Sequence, residues 1–210
     1  YYETVYVDLV VSTHPDSDHS SGLSVVLVEL AIGKLWMHKP WAHSARIRGM
    51  FNDARVTAHG LSERLRASLE DAHELEKLAK KKGILIDEPF AGLGITTPWG
   101  IVRVLGPTQQ YYEALLTDFR ETPEKKVVEA YSMSGFGTWL REGAVALAEK
   151  AQKVLESFGV ETLEEPADDA TRAENNSSAI LLLQVDGHQL LFTGDGGVPA
   201  LERAADYAEE

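Results

Sequence analysis

Val5-Tyr6-Val7-Asp8-Leu9-Val10-Val11-Ser12-Thr13-His14-Pro15-Asp16-Ser17-Asp18-His19 is the stretch from which the rest of this chain is best read. Its first half is β-branched and aliphatic almost without a break, the composition of a strand covered on both faces. Its second half places four potential metal ligands, His14, Asp16, Asp18 and His19, within six residues directly after that strand. Loops at strand ends are where a rigid scaffold presents functional groups. Pro15 disfavours helical backbone at His14, and on a helix residues 18 and 19 would face apart. The expectation is therefore an irregular loop on which all four groups converge. Two carboxylates this close repel each other unless paired. A bound dication removes the repulsion, and imidazole with carboxylate suits zinc, manganese or iron. A solvated polar turn is the plain alternative, since Asp, Ser and Pro are ordinary turn residues. Two histidines directly after an apolar strand weigh against it.

Working outward, small and aliphatic residues predict a helix over 21–30, ended by Gly33, and a short strand over 34–38. Leu61, Leu65, Leu69, His73, Leu75, Leu78 and Ala79 keep helical spacing, which predicts one long helix over 61–82 ended by Gly83. A strand over 84–86, a hairpin over 95–105 turned near Pro98-Trp99-Gly100, and a helix over 109–120 follow. A Ser/Gly loop over 132–137, a helix over 138–158 and an exposed acidic stretch over 161–174 come next. The Asp186-Gly187-His188 turn predicts a hairpin of 179–185 with 189–193, and the last residues read as a helix. The mixture predicts an α/β or α+β fold, in one domain spanning 1–210.

Composition bounds the function. The 210 residues are 44% hydrophobic and 25% charged, the balance of an ordinary globular protein. A formal charge of −13 excludes a generally basic nucleic-acid binder but leaves room for a local basic groove. There is no cysteine, so any metal must be held by His, Asp or Glu. No apolar run is long enough to span a bilayer, so no membrane contact is expected from this segment. No secretory signal opens the sequence, and the absence of cysteine fits a cytoplasmic protein. From Gly33 to His59 there are five bases and one acid, a stretch able to contact a phosphate-bearing substrate or to be an ordinary solvated loop. Oligomeric state leaves no trace in the sequence.

The arrangement at 14–19 resembles the metallo-β-lactamase superfamily, whose signature is a strand followed by H-x-H-x-D-H. Here the third position is Asp16, giving H-x-D-x-D-H. That variant, with Thr13 before the first His and Gly22-Leu23 soon after the last, is most similar to the metallo-hydrolase domain of bacterial DNA-uptake (ComEC-type) competence proteins and their stand-alone relatives. Leu190-Leu191-Phe192-Thr193-Gly194-Asp195 resembles the strand ending in T-G-D, and Asn175-Asn176-Ser177-Ser178 resembles the N-N-x-S of the competence-type branch. Val104-Leu105-Gly106-Pro107 is a weaker match of the same kind. The earlier hairpin and the last metal His of the superfamily have no counterpart here. An internal segment of a larger domain, incomplete at both ends, is the expectation that follows; degeneration is the alternative.

The resemblance implies a four-layer αβ/βα sandwich, with terminal strands lacking. It implies two divalent ions, zinc or manganese, with His14 and Asp16 on one, Asp18 and His19 on the other, and Asp195 bridging. Asp18 would also orient a metal-bridged hydroxide as the catalytic carboxylate. Thr-Gly-Asp has a bland reading too, a turn after a strand. Asn175 and Asn176 are candidates for orienting substrate. His43, with His38, either lines a substrate cleft or belongs to a loop packed by Trp36 and Trp41. His59, His73 and His188 read as structural or exposed. The expected activity is a metal-dependent hydrolase acting on a phosphodiester of a nucleic acid or nucleotide. An ester, thioester or amide hydrolase on the same fold and a non-catalytic binding domain remain open alternatives.

Overall fold

In a computed structural model of the chain, the described residues are 5–51, 53–97, 100–123 and 171–209, and they belong to one compact unit. The expected loop over 132–137, the helix over 138–158, most of the acidic stretch and the turn at Pro98-Trp99 lie outside the described residues.

Strand β1 (Tyr6–Ser12) pairs in parallel with β2 (Ala31–Met37), and β2 with β3 (Leu85–Asp87). Parallel neighbours need crossover connections, and these are helical. Helices α1 (Ser17–Ser20) and α2 (Leu23–Glu29) join β1 to β2. Helices α3 (Ser44–Ile47), α4 (Ala58–Ser68) and α5 (Glu70–Lys81) lie between β2 and β3. The second sheet is antiparallel, in the order β4 (Gly94–Thr97), β5 (Gly100–Gly106), β6 (Ile180–Val185), β7 (His188–Phe192). Helix α6 (Gln109–Leu115) follows β5, α7 (Ala173–Asn176) precedes β6 and α8 (Val198–Glu209) follows β7.

Side-chain alternation gives each sheet two different faces. Val10, Leu35 and Met37 turn toward the helices and join Leu27, Leu61, Leu65 and Leu75 in one core cluster. Their register neighbours Val11 and Trp36 turn the other way, with Leu9, and meet Val102, Val104 and Leu181 of the antiparallel sheet. The far face of that sheet packs Ile180 against Ala200 and Ala204 of α8. Each fully buried leucine contributes roughly 2 kcal/mol. The protein is thus a mixed α/β fold in which a parallel and an antiparallel sheet share a core. No described helix is long and apolar enough to cross a membrane.

Four local expectations need correction. Burial along β1 rises only toward its C-terminal end, from exposed Tyr6 and Asp8 to buried Val10 and Ser12. Among the described strands β1 has one neighbour, so it is an edge and is not covered along its whole length. Helix starts at Ser17, inside the stretch expected as loop, because Asp16, itself in extended backbone, offers its carbonyl to the N–H groups of His19 and Ser20. Gly33 lies within β2 and ends no helix. A Cβ there would collide with the Tyr6 ring and the Asp8 carbonyl, so glycine permits the close pairing of β1 and β2. The long helix over 61–82 is two helices broken at Leu69 (φ −120°, ψ 48°). Leu69 stays buried, and Glu70 and Asp71 favour a fresh helix start, so the hydrophobic spacing runs through the break unchanged. The 180–192 hairpin turns on Asp186 and Gly187 as expected.

Candidate metal centre

The end of β1 delivers Thr13 and His14 to the place where the two sheets adjoin, and the Ala179 N–H there donates to the Thr13 carbonyl at 2.8 Å. His14 is 1% exposed. One turn further on, α1 carries Asp18 and His19. From the other end of the described chain, the turn after β7 brings Asp195. The His19 Nε2 lies 3.3 Å from Asp195 Oδ2, and the His14 Nε2 lies 4.0 Å from the same oxygen. His14, His19 and Asp195 each offer a ligand atom within 4.8 Å of the others. The two imidazole centroids are 4.2 Å apart.

In both rings Nδ1 lies against a hydroxyl. The Thr13 hydroxyl lies 3.2 Å from His14 Nδ1 and 3.5 Å from His19 Nδ1, and the Ser178 hydroxyl lies 3.3 Å from His14 Nδ1. With Nδ1 engaged, both Nε2 atoms are left facing carboxylate. His14 Nε2 is buried without a hydrogen-bond partner among the described residues. Burial holds His14 below the ordinary histidine pKa, and the nearby His19 adds to this, against the raising charges of Asp16, Asp195 and Asp18. A neutral imidazole is the form that ligates a cation. Carboxylate oxygens of Asp16 and Asp195 each lie 4.0 Å from His14 Nε2. Imidazole and carboxylate thus converge on one point, and these are the two ligand types that hold zinc where cysteine is absent.

Gly194 (φ +54°) makes the approach of Asp195 possible. A Cβ there would stand 3.0 Å from Ser178 and 3.1 Å from Thr13, inside normal contact distance. The Asp195 N–H donates to the Ser178 hydroxyl at 3.2 Å, so one serine braces both His14 and Asp195.

The remaining candidates take different places. Asp16 Oδ2 lies 4.0 Å from His14 Nε2, and its Oδ1 accepts from Arg120. Asp18 stands at the rim, 77% exposed, with Oδ2 3.8 Å from His19 Nε2. Asn176 is committed to backbone: its Oδ1 accepts from Gly197 N–H at 3.1 Å and its Nδ2 donates to the Thr171 carbonyl at 3.0 Å. It thereby ties the turn carrying Asp195 to α7. Asn175 is half-buried beside it on the same short helix. His43 belongs to a separate buried cluster, where Glu113 meets its Nδ1 at 2.9 Å and Glu88 its Nε2 at 3.2 Å. His59 and His188 are exposed and His73 is half-buried, as expected. Four of the five bases of 33–59 find partners of their own: Lys34 pairs with Asp87, Arg46 with Glu113, Arg55 with Asp53, and Arg48 binds the Val56 carbonyl. Among the described residues, the cation that reaches the loop at 14–19 is Arg120, for which the sequence held no local signal. Thr13 and Ser178 did carry one, each standing in a stretch quoted above for the resemblance. No protein-family model, curated protein or solved structure matches this chain.

Proposed function

We propose that this chain is a metal-dependent hydrolase. His14, His19 and Asp195 hold a divalent ion, with Asp16 and Asp18 completing the donor set, and the substrate is a phosphodiester of a nucleic acid or nucleotide. The observation that carries this reading is the convergence of two imidazole Nε2 atoms and a carboxylate from opposite ends of the described chain, with buried His14 Nε2 unpartnered. The donors suit zinc or manganese, and the resemblance implies two such ions. A divalent ion supplies Lewis acidity, lowering the pKa of a water and polarising a substrate oxygen. The chain's own residues do the rest. Thr13 and Ser178 fix the imidazole orientations, Gly194 lets Asp195 approach, and Asp18 at the rim is placed to accept a proton from an incoming group. The resemblance of 14–19 and 175–178 to the competence-type branch is what supports a phosphate-bearing substrate. The succession of helices, parallel sheet, antiparallel sheet and helix supports a four-layer αβ/βα sandwich of the metallo-β-lactamase type.

The test is elemental analysis of the purified chain and of Asp195→Ala, paired with hydrolysis of bis(p-nitrophenyl) phosphate. One or two equivalents of zinc or manganese, lost in the variant, and diester cleavage that stops on chelation are expected. A folded chain that takes up neither metal sinks the proposal. Cleavage of p-nitrophenyl acetate without cleavage of the diester moves the substrate to the carboxylic esters.

A further inference from the structure

Arg120 enters the candidate centre from beyond α6. Its Nη2 donates to Asp16 Oδ1 across 104 positions of sequence. Its Nε and its own backbone N–H both donate to Glu174 Oε1, at 3.1 and 2.8 Å. Glu174 is 3% exposed, and a carboxylate so buried needs a charged, hydrogen-bonded partner. The guanidinium is therefore pinned from behind, and its planar fork leaves little freedom in how it meets Asp16. With Oδ1 engaged, the other oxygen, Oδ2, stands on the side of His14 Nε2 at 4.0 Å. Glu174 lies on α7, the same short segment that delivers Ser178 to His14 Nδ1. One element thus supports His14 directly and Asp16 through Arg120.

We propose that Arg120, held by Glu174, is a positioning residue of the metal centre: it fixes the Asp16 carboxylate with Oδ2 presented beside His14, and so sets the affinity for a divalent cation. The inference rests on reading His14, His19 and Asp195 as a metal site. Carboxylates that ligate metals are themselves hydrogen-bonded, and loss of such a partner costs about 10–100-fold in affinity.

The experiment is zinc titration of the metal-stripped full chain by calorimetry, for wild type, Arg120→Gln, Arg120→Lys, Asp16→Asn and the Asp16→Asn/Arg120→Gln double variant. Thermal unfolding of each metal-free protein is followed alongside. Arg120→Gln is expected to weaken zinc binding by about 10–100-fold. Arg120→Lys keeps the charge that Glu174 needs but loses the fork, so it recovers only part of the affinity and tests the idea even where Arg120→Gln fails to fold. On the Asp16→Asn background, Arg120→Gln is expected to add nothing, because the two residues act as one. Unchanged affinity in Arg120→Gln overturns the proposal. So does tighter binding, which would make the guanidinium a competitor for Asp16, and so does an undiminished loss on the Asp16→Asn background. A wild-type chain that binds no zinc defeats the metal-site reading itself, an outcome distinct from all of these.

Discussion

Two clusters of histidine and carboxylate stand in this fold, and they are built on opposite principles. In one, Glu113 and Glu88 close on both nitrogens of His43 at 2.9 and 3.2 Å. Burial works against a charge on that ring, but the hydrogen bonds and charges of the two glutamates outweigh it and raise its pKa above the ordinary value. In the other, His14 and His19 engage hydroxyls through Nδ1, and Asp16 and Asp195 face His14 Nε2 at 4.0 Å without bonding to it. The first cluster is satisfied internally and needs nothing more. The second leaves His14 Nε2 open, although His19 Nε2 approaches Asp195 Oδ2 to 3.3 Å. Nearness of His and Asp or Glu does not by itself distinguish a binding site from a structural clamp; on the reading proposed above, the open second nitrogen of His14 is what separates the two clusters.

The contrast is broken most directly by truncating each cluster in turn. His14→Ala should lower zinc affinity by well over 100-fold, more than the loss of a supporting residue does, as read by calorimetry. If His43→Ala lowers it equally, the two clusters are not separate. The expected effect of His43→Ala is on stability, a loss of about 3 kcal/mol in urea unfolding of the metal-free chain, since two part-buried glutamates are left without their partner. The part of it that comes from the charged ring is complete below the unfolded histidine pKa of about 6.5 and fades as pH rises through the raised pKa of the folded state.

His38 sharpens the same contrast with the reverse sign. It is fully buried, stacks on Tyr112 at 4.4 Å between ring centroids, and has no hydrogen-bond partner on either nitrogen among the described residues. Burial, with the nearby His43 and His14, pushes its pKa down to about 3. Below pH 6.5 the unfolded chain takes up a proton that the folded one refuses, so His38 removes up to about 1.4 kcal/mol of stability per pH unit of acidification. Unfolding midpoints of wild type and His38→Phe between pH 7 and pH 4 should diverge accordingly, and parallel curves refute the assignment. The smallest effect belongs to Arg46→Ala. Its guanidinium is 63% exposed and Glu113 keeps His43 and Gln109, so the cost should stay under about 1 kcal/mol in the same unfolding assay.

Much of the candidate site was legible because its parts are local. His14, His19 and Asp195 each close a strand or follow one within a turn, and the residue types alone suggested their chemistry. The Asp186-Gly187 turn likewise declared its hairpin. What stayed hidden was long-range or compensated. Nothing near Arg120 marks it as the partner of Asp16, because that pairing exists only after α6 and α7 have packed. The break at Leu69 was invisible because a leucine keeps the apolar spacing while its backbone leaves the helix. Gly33 looked like a helix stop, when its role is to admit the Tyr6 ring. Asp18 was expected to converge with the others, but a helical turn from Ser17 carries it to the rim.

The hydrogen bond from Ala179 to Thr13 also bears on the order of events in folding. The strands of the parallel sheet pair across 25 and 51 positions of sequence, whereas the neighbourhood of His14 awaits Ser178, 164 positions away. Contacts of high sequence separation form late on the way to the native state. Groups that meet only after the transition state leave the folding rate alone and act on unfolding. An ion held there would therefore work as a latch: zinc should lengthen the native lifetime of the chain without changing how fast it folds.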